Sequence, residues 1–393
     1  MAKGFLETVE RIEADQKSQI SNIVENKKDG VSVSRLREMK KNSAQYKQSL
    51  KEAAKLINEV MTGSTWAKAK FKEAMTTSDF PLLFGDIIDR QLLRGYEETP
   101  VSWNNYLREG TVPDFRQVSR HYIDGGEGVL DEVGQKEEYK ERSIDEGRYQ
   151  YQVGKFGNRF NFSWETMIND DLGAFQDIPA KFGRAARRTE EKFATELFVD
   201  SSGPHASLYD GDNTVDGNPE LSIEALQSAF ELINEQTDED GEPIVFPKIH
   251  LVVPPALEVT AQNILNAMQL ELNTNGGNSD SKLITANWIQ NRVTLHVNYY
   301  IPIIATGAEG QTSWFLFGDP NEARPAAEVG FLRGYRDPQV FMKAPNAMLV
   351  GQNTQDPMLG DFDTDNIQYK VRHILGGTQM DSRASVASDG QGA

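Results

Sequence analysis

Cysteine is absent from all 393 residues. That excludes disulfides, thiolate metal sites and cysteine nucleophiles, and it fits assembly in a reducing cytoplasm. Histidine is scarce: His121, His205, His250, His296 and His373 are the full set. None stands three or four residues from another and no HExxH occurs, so each reads as a structural residue rather than a ligand. Walker A, GxGxxG and GxSxG sequences are missing too, which removes the usual phosphate loops and the serine-hydrolase elbow. No apolar run approaches the roughly 20 residues that cross a bilayer. The opening MAKGFLETVERIEADQ is charged early and has no apolar h-region, so no secretory signal is expected.

Positive charge is also short. Lys and Arg number 41 against 59 Asp and Glu, a net charge of -18. The deficit is uneven. Residues 1–80 carry 15 basic and 11 acidic side chains, whereas the remainder carries 26 and 48. An acidic body repels nucleic acid at long range. That is a defect in a DNA-binding protein, useful in a wall around DNA, and otherwise an aid to solubility. The basic residues Lys40, Lys41, Lys68, Lys70 and Lys72 are interleaved with acids and read as solvated helix faces.

What is present reads as a folded protein. Hydrophobic residues make up 38% and charged residues 25%, which argues against wholesale disorder. The length allows two or more units of about 100–200 residues. Residues 5–28 predict a helix, broken by Asp29-Gly30. A second helix from Ser34 carries Leu36, Met39, Ser43, Tyr46, Leu50, Ala53, Ile57 and Val60 at alternating spacings of 3 and 4. That is a heptad stripe, apolar except at Ser43. Either this seam packs on a neighbouring chain, with Leu36, Leu50 and Ile57 as interface candidates, or the helix lies on its own domain.

Residues 86–95 predict a further helix. Beyond Pro100 the pattern becomes extended, and Tyr149, Tyr151, Phe156, Phe160, Phe162 and Trp164 bring a period-2 aromatic rhythm. Residues 116–160 read as one long charged β-hairpin. Its tip holds Glu137, Glu138, Lys140, Glu141 and Arg142, too many charges to bury within one chain, and so a second set of interface candidates.

The run Ile168–Phe175 (INDDLGAF) leads into a long amphipathic helix, predicted to start at an Asp177 cap with Pro179 in its first turn. Phe182, Ala186, Thr189, Phe193 and Leu197 form its expected apolar face. Arg184, Arg187, Arg188, Glu190, Glu191 and Lys192 are placed on the solvent side, with Arg187 and Glu191 spaced to pair. Gly183 weakens the helix and invites a close backbone neighbour.

Residues 221–320 read as an α/β unit, with a Ser222-capped helix, strands at Ile249–Val253, Val293–Val297 and Trp314–Phe317, and a helix over about 256–272. Strands at Ala327–Leu332, Gln339–Met342 and Ile367–His373 follow, then a turn at Gly376-Gly377. Ser382–Ala393 reads as a disordered small-residue tail. Two chemical possibilities are weak. Glu165 with Asp170 and Asp171 reads as capping rather than a catalytic pair. Asp212, Thr214, Asp216 and Gly217 imitate a calcium loop, but its twelfth position falls on Ile223.

The Ile168–Leu197 segment and the order of parts around it resemble the HK97-like major capsid proteins of tailed bacteriophages. The resemblance implies an α+β fold with an N-terminal helical arm (1–115), an extended β-hairpin loop (116–160), a peripheral domain with a spine helix (161–220 and 325–393) and an axial domain (221–324). It implies a non-enzymatic virion protein without cofactors, assembled in the host cytoplasm from pentamers and hexamers of itself into an icosahedral head around double-stranded DNA. DNA would be touched by proximity, without sequence recognition. Scaffold, portal or decoration proteins would be further partners, and no membrane is involved. Some members cross-link through a loop Lys and a distant Asn; Lys155, Asn346 and Asn353 sit in no matching motif and are not assigned. The competing readings are a hydrolase with its site in 221–324 and a coiled-coil scaffold component.

Overall fold

The computed structural model describes residues 56, 90–124, 145–163, 172–209, 211–238, 240–267, 269–273, 282–287, 289, 292–321, 324–343 and 362–392. In chain order the elements are a helix over residues 90–97 (α1), a 3-10 turn Trp103–Asn105, then β1 (Arg108–Val112), β2 (Val118–Asp124), β3 (Asp145–Tyr151), β4 (Gly154–Phe156) and β5 (Arg159–Ser163). Next come α2 (Leu172–Glu196), β6 (Val199–Asp200), β7 (Gly203–Pro204), α3 (Ile223–Asn234), β8 (Ile249–Val253), α4 (Glu258–Asn266), β9 (Gln269–Asn273), β10 (Lys282–Ala286) and β11 (Val293–Val297). Two four-residue helices, Ile301–Ile304 and Glu309–Thr312, precede β12 (Trp314–Gly318), β13 (Ala327–Leu332), β14 (Gln339–Met342), β15 (Asn366–Gln379) and β16 (Ser385–Ser388). The class is α+β. Two compact units share the chain: residues 1–98, 157–185 and 337–372 form one, and 99–156, 186–336 and 373–393 the other.

In the first unit, β5 and β14 both pair antiparallel with the first half of β15. Phe160 stacks on Tyr369 at 5.1 Å and on Phe182 at 4.9 Å between ring centroids, which ties strand to helix. α1 meets α2 through two glycines. A Cβ on Gly183 would lie 2.1 Å from the Leu92 carbonyl oxygen, and one on Gly95 would lie 2.2 Å from that of Ala180. The backbones approach so closely that only glycine fits at either point. This explains why a residue that weakens the helix stands in its middle.

In the second unit, the strand order β11-β8-β12-β16 makes a sheet with a parallel pair, β8 and β11, and antiparallel partners beyond. Every residue of β8, β12 and β16 is buried. α3 covers it with Ala225, Leu226, Ala229, Phe230 and Ile233, and the Ser222 hydroxyl accepts the Ala225 N–H at 3.1 Å. Elsewhere in this unit β13 pairs parallel with β1 and antiparallel with the second half of β15, while β4 pairs with β15 at His373–Leu375. β2 and β3 form a separate antiparallel ribbon with Val118 opposite Tyr151 and Asp124 opposite Asp145.

Six expectations change. The long helix starts at Leu172, with Pro179 inside it rather than at its first turn. Its packed face is rotated: Glu190 and Glu191 are buried and Lys192 is exposed. Residues 154–163 do not extend the ribbon but join β15. The helix expected over 256–272 stops at Asn266, and β9 follows to pair with β10. Gly376 and Gly377 make no turn. They lie within β15 because Cβ atoms there would fall 2.4 Å from the Gln152 carbonyl oxygen and 2.5 Å from that of Glu328. The C-terminal residues are not a loose tail. β16 pairs with β12, and Val386 and Ala387 are wholly buried. Small residues are what an edge position against Trp314 and Phe315 admits.

The mimic of a calcium loop has a structural role. Val215 donates to the Ala387 carbonyl at 2.9 Å, Ala387 donates to that of Asn213 at 3.0 Å, and the buried Asn213 amide donates to Leu208 and Ser382 carbonyls. The loop therefore clips the C-terminal strand in place. Gly217 and Asn218 supply the left-handed backbone this needs, at φ 74° and 48°.

Two expected outcomes follow from this packing. Gly183→Ala gains up to ~1 kcal/mol of helix propensity yet overpacks a backbone contact. It is therefore expected to destabilise the protein by about 1–3 kcal/mol, read from urea midpoints. A neutral or stabilising result would mean that the two helices can separate freely. The second concerns His250 and His296, on β8 and β11, whose Nδ1 and Nε2 lie 3.0 Å apart. One ring donates to the other, so the pair is held uncharged. Burial, and then His250, pull His296 down to about 4, and burial also lowers His250. A histidine whose folded value is depressed refuses protons that the unfolded chain accepts. Stability is thus fully present above the ordinary value of about 6.5 and falls as pH drops towards 4. His296→Gln should flatten that fall in urea unfolding measured across this range; parallel profiles for variant and parent would refute the assignment.

Candidate functional site

The second unit buries Glu190, Glu191, Glu328 and Asp381. Asp381 is met by Arg324 and Arg383, and the way the three glutamates are satisfied defines the unit's most constrained region. Glu190 is fully buried. It accepts from Arg187 at 2.8 Å and from His373 Nε2 at 2.8 Å, with Arg336 at 3.5 Å. Arg336 in turn grips Glu109 with two nitrogens, at 2.7 and 3.1 Å, and lies 4.0 Å over the Phe331 ring. One side chain of the long helix is thereby joined to β15, to β1 and to the segment after β13.

Glu191, the next residue, faces a different partner. Its Oε2 accepts the Ser102 N–H at 2.9 Å and the Trp103 N–H at 3.4 Å, and its Oε1 accepts the Ser102 hydroxyl. The carboxylate serves as the anionic cap of the 3-10 turn, a role normally filled by a local residue. Burial raises its pKa, and the Ser102 hydrogen bonds oppose that rise. Behind it, Asn298 donates to the Tyr106 hydroxyl at 3.0 Å and to the Thr195 hydroxyl at 2.8 Å. Burial, with Glu191 nearby, pushes the Tyr106 hydroxyl well above the usual tyrosine range, so it stays protonated.

Glu328, on β13, is the third. It accepts from Arg120 Nε at 2.8 Å and from the Tyr151 hydroxyl. Arg120 lies on β2 and Tyr151 on β3, so this carboxylate holds the base of the ribbon. Burial and the bond to Glu328 both push the Tyr151 hydroxyl up. Farther along, Tyr149 stacks on Tyr122 at 4.7 Å. Gly147 makes room, since a Cβ there would lie 2.0 Å from the Tyr122 ring. The opposite ribbon face is polar and open, with His121, Arg148 and Gln150 exposed.

These groups position backbone and charge; they do not converge on a reacting centre. Among the described residues no group of three or more His, Asp and Glu side chains has the placement of a metal site. No described helix is long and apolar enough to cross a membrane. The candidates named from sequence, Glu137, Glu138, Lys140, Glu141 and Arg142 at the hairpin tip and Leu36, Leu50 and Ile57 in the heptad seam, lie outside the described residues, as do Glu165, Asp170 and Asp171. Arg187 pairs with Glu190, three residues on.

Sequence reading missed the burial of Glu190, Glu191 and Glu328. A signal existed for two of them. Glu328 is the lone charge in the apolar strand Ala327–Leu332. Glu190 falls four residues from both Ala186 and Ala194, on the small-residue face of the helix. Glu191 carried none, because its partners lie 89 residues away.

The chain is similar to several solved structures. The virus-like particle from Pyrococcus furiosus shares 11% identity over 78% of this chain and 99% of that one, with a TM-score of 0.40. The mature capsid of bacteriophage PhiM1 shares 11% over 74% and 86%, with a TM-score of 0.45. Mycobacterium phage Adephagia shares 9% over 76% and 89%, with a TM-score of 0.42. No curated protein matches the chain. Residues 148–388, well over half of the sequence, match the family model described as phage capsid protein. The match begins within the ribbon strand β3 and ends on β16, and so takes in α2, both halves of β15 and the buried Glu190, Glu191, Glu328 and Asp381. The chain therefore belongs to the phage capsid protein family and is a structural protein of the virion, not an enzyme.

Proposed function

We propose that this chain is the major capsid subunit of an HK97-like head: it assembles with copies of itself, as pentamers and hexamers, into a closed icosahedral shell around double-stranded DNA. The observation that carries the reading is the family match across residues 148–388. Charge supports it. The portion after residue 80 carries 26 basic against 48 acidic side chains, and such a wall repels a packaged polyanion instead of binding it. DNA is then a content, not a ligand, and assembly takes place in the host cytoplasm before filling.

The ribbon β2–β3 supports a division of labour on this reading. Its base is held by Glu328. Residues 125–144 between its strands include the charged run Glu137, Glu138, Lys140, Glu141 and Arg142. We assign this tip to an adjacent subunit. We assign residues 1–80, with the Leu36, Leu50 and Ile57 seam, to a second contact between subunits, because one apolar stripe cannot bury a core by itself. Scaffold, portal or decoration proteins would be the other partners.

Electron microscopy of the purified protein is the direct test, with closed shells or ring-shaped capsomers expected and a small soluble oligomer refuting the reading. Each exposed ion pair contributes only ~0–1 kcal/mol, but a shell repeats every pair many times. Reversing Glu137, Glu138 and Glu141 to Lys should therefore cut shell yield at least tenfold, by the order of a few such pairs, while leaving the subunit's melting temperature near that of the parent. Leu50→Asp with Ile57→Asp should likewise block shells and leave the subunit folded. Normal shells from either variant would remove that surface from the interface.

A further inference from the structure

At its base the ribbon is fastened to its own unit through Glu328, and the chemistry there is specific. Glu328 sits on β13 between Arg108 of β1 and Thr378 of β15. Its side chain is 4% exposed. Among the described residues, both hydrogen bonds to its carboxylate come from the ribbon: Arg120 Nε at 2.8 Å from β2, and the Tyr151 hydroxyl from β3. Arg120 also donates through Nη2 to the Thr111 carbonyl at 3.1 Å. Two glycines clear the space. A Cβ on Gly110 would lie 2.2 Å from Glu328 Oε1, and one on Gly330 would lie 2.3 Å from the Tyr151 hydroxyl.

This arrangement couples the ribbon's direction to the burial of a charge. If the ribbon swings away from its base, both donors leave with it. Glu328 then loses both of the donors that replace its hydration, which is unfavourable for as long as the site stays covered. Exposure rises away from this point, from 5% at Tyr151 to 36% at Tyr122. The hydrogen bonds to Glu328 thus act at the base; farther along, Tyr149 is partly buried and lies within electrostatic reach of Asp381 and Arg383. One donor comes from each strand, so the carboxylate also holds the two strands in register where the ribbon leaves the body.

We propose that Glu328 is the positioning residue of the ribbon: through Arg120 and Tyr151 it fixes the exit direction of β2 and β3 in the free subunit, so that these strands are presented to a neighbouring copy already oriented. The inference rests on the reading that copies of this chain assemble through the ribbon. Preorganisation of this kind removes the ordering cost that a free loop would incur at each contact.

The test uses full-length protein before assembly, comparing the parent with Glu328→Gln and Glu328→Ala by amide hydrogen exchange, and then measures shell yield. Exchange at 118–124 and 145–151 should rise by about tenfold or more in the Ala variant, as expected when a local opening becomes easier. The Gln variant, which keeps an acceptor for Tyr151 but loses the charge facing Arg120, should rise less. Exchange in β8 and β12 should stay at the parental level, and shell yield should fall in step with ribbon exchange. Arg120→Met reports the same step if the Ala variant fails to fold. Parental ribbon exchange in these variants would overturn the proposal. Equal loosening of β8 and β12 would too, because Glu328 would then be only a core residue. Parental shell yield from a loosened ribbon would overturn the presentation step. If the parent itself forms no shells, the assembly reading fails, while the exchange data still judge the anchor.

Discussion

A carboxylate can leave water only where donors replace it, and that constraint organises the second unit. Glu190 and Glu191 are adjacent in sequence and buried on the long helix, and each must be met by groups from elsewhere in the chain. Glu190 draws in His373 from β15 and Arg336 from the segment after β13. Glu191 draws in the backbone of Ser102 and Trp103. The helix is thereby fixed in rotation as well as position, since a turn about its axis would strip both charges at once. Ion pairs of this kind add little net stability compared with apolar packing, but removing one partner strands the other. They specify one arrangement more than they strengthen it.

Glycine is the counterpart of those charges. Gly110, Gly330, Gly376 and Gly377 all stand where a side chain would collide with a carboxylate, a tyrosine or a neighbouring strand's carbonyl. In the first unit Gly95 and Gly183 allow α1 and α2 to pack backbone to backbone. Each of these close contacts leaves a single permitted geometry. The same logic applies to the C-terminal strand, whose small residues fill an edge position beside Trp314 and Phe315 that larger ones would overfill.

Much of this was legible in the amino-acid order. Ile249–Val253, Val293–Val297, Ala327–Leu332 and Gln339–Met342 have the bounds that their β-branched and apolar runs predict. The Ser222 cap and the apolar rhythm after it gave α3. Gly183 was read as a close-approach point and is one. The misreadings share a cause. Asp177 and Pro179 are good start signals by local rules, yet the helix runs back to Leu172. Gly376-Gly377 and the Ser-Ala-rich end looked like turn and tail by composition, yet each is a strand paired with distant chain. Local preference was outweighed by packing that short windows of sequence do not contain.

The sequence by itself determined the α+β class, most strand positions, the acidic balance and the family, because periodicity, charge and the Ile168–Leu197 segment are properties of contiguous residues. Tertiary structure alone decided which face of the long helix is buried, why Glu190, Glu191 and Glu328 can be buried, and what holds the base of the ribbon. The physical reason is distance along the chain. Glu191 meets Ser102 across 89 residues, Glu190 meets His373 across 183, and Glu328 meets Arg120 across 208. A charged residue looks solvent-facing until its partner is known, and these partners are brought to it only by the completed fold.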